Sequence, residues 1–216
     1  MKETTSREQI LKRIRNAEMQ KADNPYADVD LSKNIYYDLK EDLEVVFAEE
    51  LNHIGGHFVY CMSKEELIEN LKRLIISQKW NTVYTHSKEI DNILKSMDVV
   101  SSKDTDDYSK IEVSITECEA LIARLGSVMV SSKQVNGRRL NFIPDTHIVI
   151  ANREQIVATV KDAIELINNK YEDEFPSMTT IITGPSRTAD IEKTLVMGAH
   201  GPRTLIVFVT EEDFLN

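Results

Sequence analysis

Short β-branched runs alternate with helical repeats along most of the chain, and this alternation limits the folds that the chain can adopt. The runs predict strands at residues 57–62, 82–85, 127–131, 148–151, 179–183 and 205–209. A helix between two strands carries the chain back across the sheet in a right-handed crossover. The pattern therefore predicts an α/β fold, a mostly parallel sheet with helices on both faces.

Spacing and capping signals predict the first helices of this fold. Apolar residues repeat at three and four positions over residues 38–54, and Gly55 and Gly56 then supply a stop. Ser63 and Glu66 have the spacing of a capping box, in which each residue satisfies a free amide of the other. The next helix is therefore expected to begin at Ser63.

Two later helices are predicted on the same grounds. Thr116 and Glu119 repeat the capping-box spacing and predict a helix over residues 120–125. Asn152 is expected to cap a long helix through residues 156–167.

The N-terminal segment differs from the rest of the chain. Residues 5–21 carry a thin apolar stripe at helical spacing, opposite a highly charged face. Asn24 and Pro25 then open a polar linker. The sequence thus predicts a helical arm and linker at 1–33, which packs on another surface, and an α/β domain at 34–216.

Composition narrows the classes of partner. With 26 basic and 36 acidic side chains and no dense basic patch, most of the surface would repel a phosphate backbone, which argues against nucleic acid and anionic membranes as partners. No apolar stretch approaches the roughly 20 residues of a membrane span. Cys61 and Cys118 sit among apolar neighbours and are expected to be buried, reduced thiols of a cytoplasmic protein. No histidine pair has metal-ligand spacing, so neither a metal nor another cofactor is predicted.

Turn-forming residues concentrate near the C-terminus. The chain has seven glycines and five prolines, and five of these twelve residues lie between Gly184 and Pro202, in the run ITGPSRTADIEKTLVMGAHGPRTLIVFV. The first bend follows the strand predicted at residues 179–183, and a short helix is expected after it. Ligands of open α/β sheets bind where strands end and helices begin. This bend is therefore the first candidate site.

The side chains of the first bend suit an anion. Gly184 lets the chain turn, and Ser186, Arg187 and Thr188 bring hydroxyls and a guanidinium to the start of the predicted helix. Asp190 would repel a phosphate there unless it points away or binds a hydroxyl or a cation. An alternative remains open, in which Ser186 or Thr188 only caps the helix and Asp190 only meets its dipole.

The second bend brings a histidine and another arginine. Gly198 is typical of a helix C-terminus, and Gly201 and the following proline fix the chain beside His200. His200 is the candidate catalytic residue because its ordinary pKa of about 6.5 suits acid–base chemistry near neutral pH, although a hydrogen bond between the loops is an equal alternative. Arg203 and Arg187 are candidates to clamp a carboxylate or a phosphate. We therefore expect the two bends to meet around a small anionic ligand.

One segment breaks the alternation of strands and helices. Asn136 and Gly137 form a two-residue turn signal within residues 133–144, which predicts a hairpin. Such a hairpin either borders a site or only decorates the sheet.

The run through both bends resembles the C-terminal signature of the LUD-domain proteins of the LutC/YkgG group. Weaker likeness extends through ITECEALIARLGSVMVSS, RRLNFIPDTHIVI and FAEELNHIGGHFVYC. The resemblance implies a fold similar to the NagB/RpiA/CoA-transferase-like class. It also implies a place in a three-component system that oxidises L-lactate to pyruvate, beside iron–sulfur and cysteine-rich subunits. With two cysteines this chain cannot supply four thiolates to a cluster, so it resembles the non-cluster component.

The sequence departs from the family at one place. Members usually carry an acidic residue and a threonine where this chain has Arg124 and Leu125. If the family's acidic group has a chemical role, this chain lacks it, and Glu119 is only a speculative substitute.

Two other functions stay open. The chain is either a free-standing CoA-transferase-like or nucleotide-dependent enzyme, or a module that binds an organic acid without catalysis. The sequence shows no serine elbow and no cysteine with a nearby histidine, which favours the module over the enzyme.

Overall fold

The computed structural model describes residues 5–19, 25–30, 36–103, 105, 107–172, 174–188 and 196–214. The chain divides into two compact units, residues 1–38 and 39–216. The smaller unit holds helix α1 (Ser6–Met19), which Thr5 and Glu8 cap by accepting each other's backbone amides. None of its residues is buried. The helix is as predicted, and its role as a docking arm stays a prediction.

The larger unit contains the remaining described elements. Its strands are β1 (His57–Cys61), β2 (Val83–Tyr84), β3 (Ser101–Ser102), β4 (Val113–Glu117), β5 (Ala120–Ile122), β6 (Ser127–Ser131), β7 (Thr146–Asn152), β8 (Ile156–Val157), β9 (Thr179–Ile182), β10 (Arg187–Thr188), β11 (Val196–Met197) and β12 (Thr204–Thr210). Its helices are α2 (Leu43–His53), α3 (Lys64–Gln78), α4 (Lys88–Ser96), α5 (Arg139–Phe142) and α6 (Val160–Tyr171).

The strands form two sheets and a short ribbon. The main sheet has the order β1-β12-β7-β4-β2-β3, and all of its described pairs are parallel. The second sheet has the order β8-β5-β6-β9, in which only β5 and β8 are parallel. β10 and β11 pair with each other in the antiparallel direction.

Both faces of the main sheet are covered. One face packs its alternate residues, including Ile148, Ile206 and Phe208, against α3 and α4. The other face packs Val149 and Val207 against α2 and the second sheet. α6 covers the outer side of the second sheet. The predicted α/β class with a mostly parallel sheet is confirmed, with the addition that a second sheet shares one face with α2.

One predicted helix is wrong, and another begins later than predicted. Residues 120–125 form β5 and a 3-10 turn, because Leu121 faces α2 while its neighbours face α6, which is the two-residue period of a strand. Asn152 caps only a 3-10 turn that leads into β8. The helix begins later, with a capping box between Thr159 and Asp162.

The predicted hairpin at residues 133–144 is also wrong. Turns there lead into the short helix α5, whose Leu140 is buried. Its carbonyl accepts a hydrogen bond of 2.6 Å from the Ser114 hydroxyl of β4. The segment is therefore pinned to the main sheet and does not extend outward as a strand pair.

The strand predicted before the first bend is present as β9, but it lies in a different sheet from the one expected. β9 pairs antiparallel with β6 in the second sheet, so it is not a strand of the parallel sheet. Thr188 lies in strand β10, and Gly198 follows strand β11 where the end of a helix was predicted. Residues 189–195, with Asp190, lie outside the described residues.

Gly126 allows α2 to lie against the second sheet. Its φ is +57°, in the left-handed region, and an added Cβ would lie 2.3 Å from the Leu51 nitrogen and 2.5 Å from the Glu50 carbonyl carbon. Because these are backbone atoms of a buried helix, they cannot move aside cheaply. Gly137 shares a positive φ of +63° but has open space around it.

Gly126→Ala should therefore lower the free energy of unfolding by roughly 2 to 5 kcal/mol, from backbone strain plus overpacking. Gly137→Ala, the matched control, should lower the free energy of unfolding by about 1 to 2 kcal/mol, from backbone strain alone. Urea unfolding followed by circular dichroism measures both. Equal losses would show that the approach of α2 does not depend on Gly126.

A buried histidine lies in the main sheet. His147 of β7 is fully buried, and its Nε2 is 2.8 Å from the Thr116 hydroxyl of β4. Burial lowers the pKa of His147 to about 3. Between pH 6.5 and 3 the unfolded chain thus binds a proton at this position that the folded chain does not.

Stability should consequently fall as the pH drops below about 6.5, at up to about 1.4 kcal/mol per pH unit from this residue. His147→Gln, which keeps a hydrogen-bonding group beside Thr116, should remove that contribution. Urea unfolding of both proteins between pH 6.5 and 5 tests this, since the exposed histidines are common to both. Identical slopes would mean that His147 titrates normally.

Candidate functional site

The two bends predicted from the sequence meet in space. The Ser186 amide donates to the Pro202 carbonyl at 2.8 Å, and the Gly198 amide donates to the Ser186 carbonyl at 2.9 Å. Gly201 lies directly against the Ser186 side chain, with 3.2 Å between that Cβ and an added Cβ on Gly201. Backbone hydrogen bonds therefore hold both bends together.

The joined bends lie at the amino-terminal edge of the main sheet. The second bend runs straight into β12, and the Arg203 and Thr204 amides both donate to the carbonyl of Asp145, just before β7. This differs from the sequence prediction, which placed the site beyond the carboxyl end of a central parallel strand. The reason is that β9, which delivers the first bend, belongs to the second sheet.

The residues that follow α2 lie against the first bend. Arg187 donates from Nη2 to the Ile54 carbonyl, and Gly184 packs against the same residue. An added Cβ on Gly55 would lie 2.1 Å from Arg187 Nη2, so that position must lack a side chain for the guanidinium to lie there. The guanidinium is thus fixed on one side and keeps its other donors.

These segments enclose a cavity of about 470 Å³. Its apolar lining comes from Ile54, Phe142, Ile181, Ile182, Pro185 and Pro202. Its polar side chains are Thr183, Ser186, Arg187 and His200. Within the described residues the lining holds one permanent cation, Arg187, and no carboxylate. A pocket of this size with few polar groups among apolar walls is typical of a small-molecule site, and its charge suits an anion.

The structure brings most of the predicted site residues together. Those that line the cavity are Gly184, Ser186, Arg187, His200 and Gly201.

Two other predicted residues, Thr188 and Arg203, are not among the residues that line the cavity. Thr188 pairs with Val196 in the β10–β11 ribbon. Arg203 turns outward and forms an ion pair with Asp145, 3.3 Å from Nε to Oδ1, with both side chains about two-thirds exposed. The expected clamp of two arginines is therefore reduced to Arg187.

The segment that departs from the family reaches this cavity indirectly. Arg124 and Leu125 lie in the 3-10 turn after β5, and Ser127 follows them. The Ser127 hydroxyl is 2.9 Å from the hydroxyl of Thr183, a lining residue. Sequence reasoning missed Thr183, Ile54 and the contact through Ser127; the family resemblance at all three segments was the available signal.

A separate polar cluster lies just beyond the carboxyl end of β4, which ends at Glu117. Glu119 is buried, and its carboxylate accepts from the Ser131 hydroxyl at 2.5 Å, the Tyr171 hydroxyl at 2.7 Å and Lys170 Nζ at 2.8 Å. Burial lowers the pKa of Lys170, but its hydrogen bond and charge interaction with Glu119 raise it on balance. The carboxylate is fully paired, so the cluster joins β5, β6 and α6 and leaves Glu119 no free oxygen for a ligand.

The comparisons with known proteins show the family of this chain. Residues 44–210 match the LUD domain, and the chain belongs to the LUD domain family. It is 35% identical over 166 residues to Lactate utilization protein C of Bacillus licheniformis, covering 76% of this chain and 67% of that protein. It is 26% identical over 199 residues to Lactate utilization protein C 1 of Bacillus mycoides, covering 83% and 84%.

A solved structure shares the fold. A crystal structure of a DUF162 family protein from Deinococcus radiodurans superposes with a TM-score of 0.58 at 20% identity, over 78% of this chain and 96% of that one. The family resemblance drawn from the sequence is confirmed.

Arg187→Ala should weaken the binding of small anions by about tenfold or more, because a charge-assisted hydrogen bond contributes roughly 1.5 to 3 kcal/mol. Arg203→Ala, its control in the neighbouring bend, should change affinity less than about twofold because its ion pair is exposed. Calorimetric titration with L-lactate, pyruvate and inorganic phosphate provides the comparison, with melting temperatures to confirm folding. Equal effects of the two substitutions would contradict the assignment of Arg187.

Proposed function

We propose that this chain acts in lactate utilisation as a non-cluster component that holds a small organic carboxylate between its two bends. The proposal rests on one observation, that segments far apart in the sequence meet at one cavity. The segments through which the chain resembles the LUD family contribute Ile54, Phe142, residues 182–187 and residues 200–202 to the lining of one cavity, and Ser127 contacts that lining through Thr183. Relatives that share the family are named lactate utilization proteins.

The cavity supplies what a hydroxy or keto acid needs. The free donors of Arg187 match the two oxygens of a carboxylate, and Ser186 contributes a hydroxyl to the same cavity. His200 lies on the other bend, where it can take the proton of the lactate hydroxyl or donate a hydrogen bond to the keto oxygen of pyruvate. The apolar walls suit the methyl end of a three-carbon acid. His200 is thus the candidate catalytic residue, and Arg187 orients the substrate.

Oxidation of lactate to pyruvate releases two electrons, which need an acceptor. The chain has two cysteines, both buried and unbridged, and burial raises the pKa of each thiol. Two such thiols cannot bind a four-thiolate cluster. The proposal therefore assigns electron acceptance to partner subunits with iron–sulfur clusters and cysteine-rich motifs. Helix α1, whose Ile10, Leu11 and Ile14 are exposed, is the candidate surface for docking them. Among the described residues, no helix is long and apolar enough to cross a membrane.

Deletion of the gene in the source organism should abolish or strongly slow growth on L-lactate while growth on glucose stays normal. The wild-type gene and Arg203→Ala should restore growth on L-lactate, whereas Arg187→Ala should not. An affinity-tagged chain expressed at its native level should also co-purify subunits that carry iron–sulfur clusters.

Normal growth of the deletion strain on L-lactate, together with isolation of the chain alone, would contradict the proposal. A thermal shift with nucleotides or coenzyme A that Arg187→Ala reduces would instead favour a free-standing enzyme. Binding of lactate with no turnover by the assembled subunits would favour a module that only holds the acid.

A further inference from the structure

A second and slightly larger cavity, of about 510 Å³, lies on the opposite face of the main sheet from the two bends. Its floor is formed by Val59 of β1 with Ile206 and Phe208 of β12, residues that belong to the core packed against α3. Its wall is one face of α3. Nothing in the proposed lactate chemistry uses this space.

The end of α3 builds the wall. Asn70, Leu74 and Gln78 are spaced four residues apart, so they lie one above another on the helix face that borders the cavity. The helix then ends at Lys79, which adopts the left-handed conformation with φ of +59°. The amide of Trp80 donates back to the Ile75 carbonyl at 3.2 Å. The turn at Lys79 therefore returns the chain toward the core, where Trp80 packs and lines the cavity.

Most polar side chains of this cavity form no hydrogen bond within the described part of the protein. The Gln78 amide, the hydroxyls of Thr146 and Thr204 and the indole N–H of Trp80 have no hydrogen-bond partner among the described residues. The Asn70 amide reaches only the sulfur of Cys61, at 3.7 Å. Donors and acceptors thus converge on the space from α3 on one side and from the first residues of β7 and β12 on the other.

The lining also sets the charge of an occupant. Among the described residues that line this cavity there is no Lys, Arg, Asp or Glu, and the one histidine, His57, is exposed to solvent. A charged group would lose its hydration here without gaining a counter-ion, which is costly. The occupant is therefore uncharged where it enters the cavity.

We propose that this cavity binds an uncharged, planar nitrogen heterocycle, of the class of a nucleobase or a flavin ring. Carboxamide side chains such as Asn70 and Gln78 offer a donor and an acceptor side by side, which matches the edge of such a ring. The indole of Trp80 offers a face on which the ring stacks, and Phe208 and Leu74 supply apolar contact. The volume is within the range in which proteins enclose molecules of this size.

Trp80 is the chain's single tryptophan, so its fluorescence reports on this cavity. The full chain is titrated with adenosine, uridine and riboflavin, followed by tryptophan fluorescence and by calorimetry. We expect at least one of the three to bind with 1:1 stoichiometry below 1 mM and to change the fluorescence of Trp80. Adding a phosphate to the same nucleoside should not tighten binding, because the lining lacks a permanent cation.

Variants then locate the binding. Asn70→Leu combined with Gln78→Met should weaken it at least about tenfold, as expected when hydrogen-bonding groups facing a ligand are removed. Thr204→Val, which keeps the shape of the side chain, should weaken binding less than the double variant does. It replaces the double variant as the test if that protein does not fold. Arg73→Met lies on the same helix but outside the cavity lining, with a highly exposed side chain, and should have no effect.

Failure of all three compounds to bind at 1 mM would overturn the inference, as would unchanged binding by folded variants of the cavity. Arg187→Ala should leave this binding intact, because that residue lines the cavity on the other face. The result therefore does not depend on the anion site or on lactate.

Discussion

The site depends on the parallel pairing of β12 with β7, two strands that are buried on both faces. Their ladder runs in register from Thr204 and Thr146 to Thr210 and Asn152. It continues past the start of β12, since the Arg203 and Thr204 amides both donate to the Asp145 carbonyl. The second bend therefore leaves the sheet at a fixed point. Because the Ser186 amide is bound to the Pro202 carbonyl, the first bend is fixed as well.

The charge of the cavity follows from local structure and opposes the charge of the whole chain. The formal net charge is −10, which would disfavour an anionic ligand over most of the surface. Arg187 overcomes this locally because its guanidinium is held by the Ile54 carbonyl and no described carboxylate lines the cavity beside it. Arg203, by contrast, is neutralised by Asp145 and faces solvent. Arg187 thus lines the cavity, whereas Arg203 forms an ion pair on the protein surface.

The fold class and the site segments could be predicted because each rests on a strong local signal. The Ser63–Glu66 spacing does start α3, with the Ser63 side chain accepting from the Glu66 amide. The β-branched run at residues 205–209 lies within β12. The same spacing at Thr116 and Glu119 was misleading, because Glu119 is buried among Ser131, Lys170 and Tyr171 and does not cap a helix. A long-range pairing of this kind leaves no local trace. For the same reason, the sequence did not reveal that β9 joins the second sheet.

The bends illustrate the same limit. Glycines and prolines indicated where the chain turns, and the family resemblance indicated which turns belong together. Neither indicated that α2 ends against Arg187, or that Ser127 contacts Thr183, because these contacts join residues far apart in sequence.

The central claim is that the joined bends hold a carboxylate. A crystal structure of the full chain with L-lactate tests it most directly. The account predicts an ordered carboxylate within hydrogen-bond distance of Arg187 and the Ser186 hydroxyl, with the hydroxyl of lactate toward His200. Lactate bound elsewhere, with the Arg187 guanidinium turned to solvent, would contradict it.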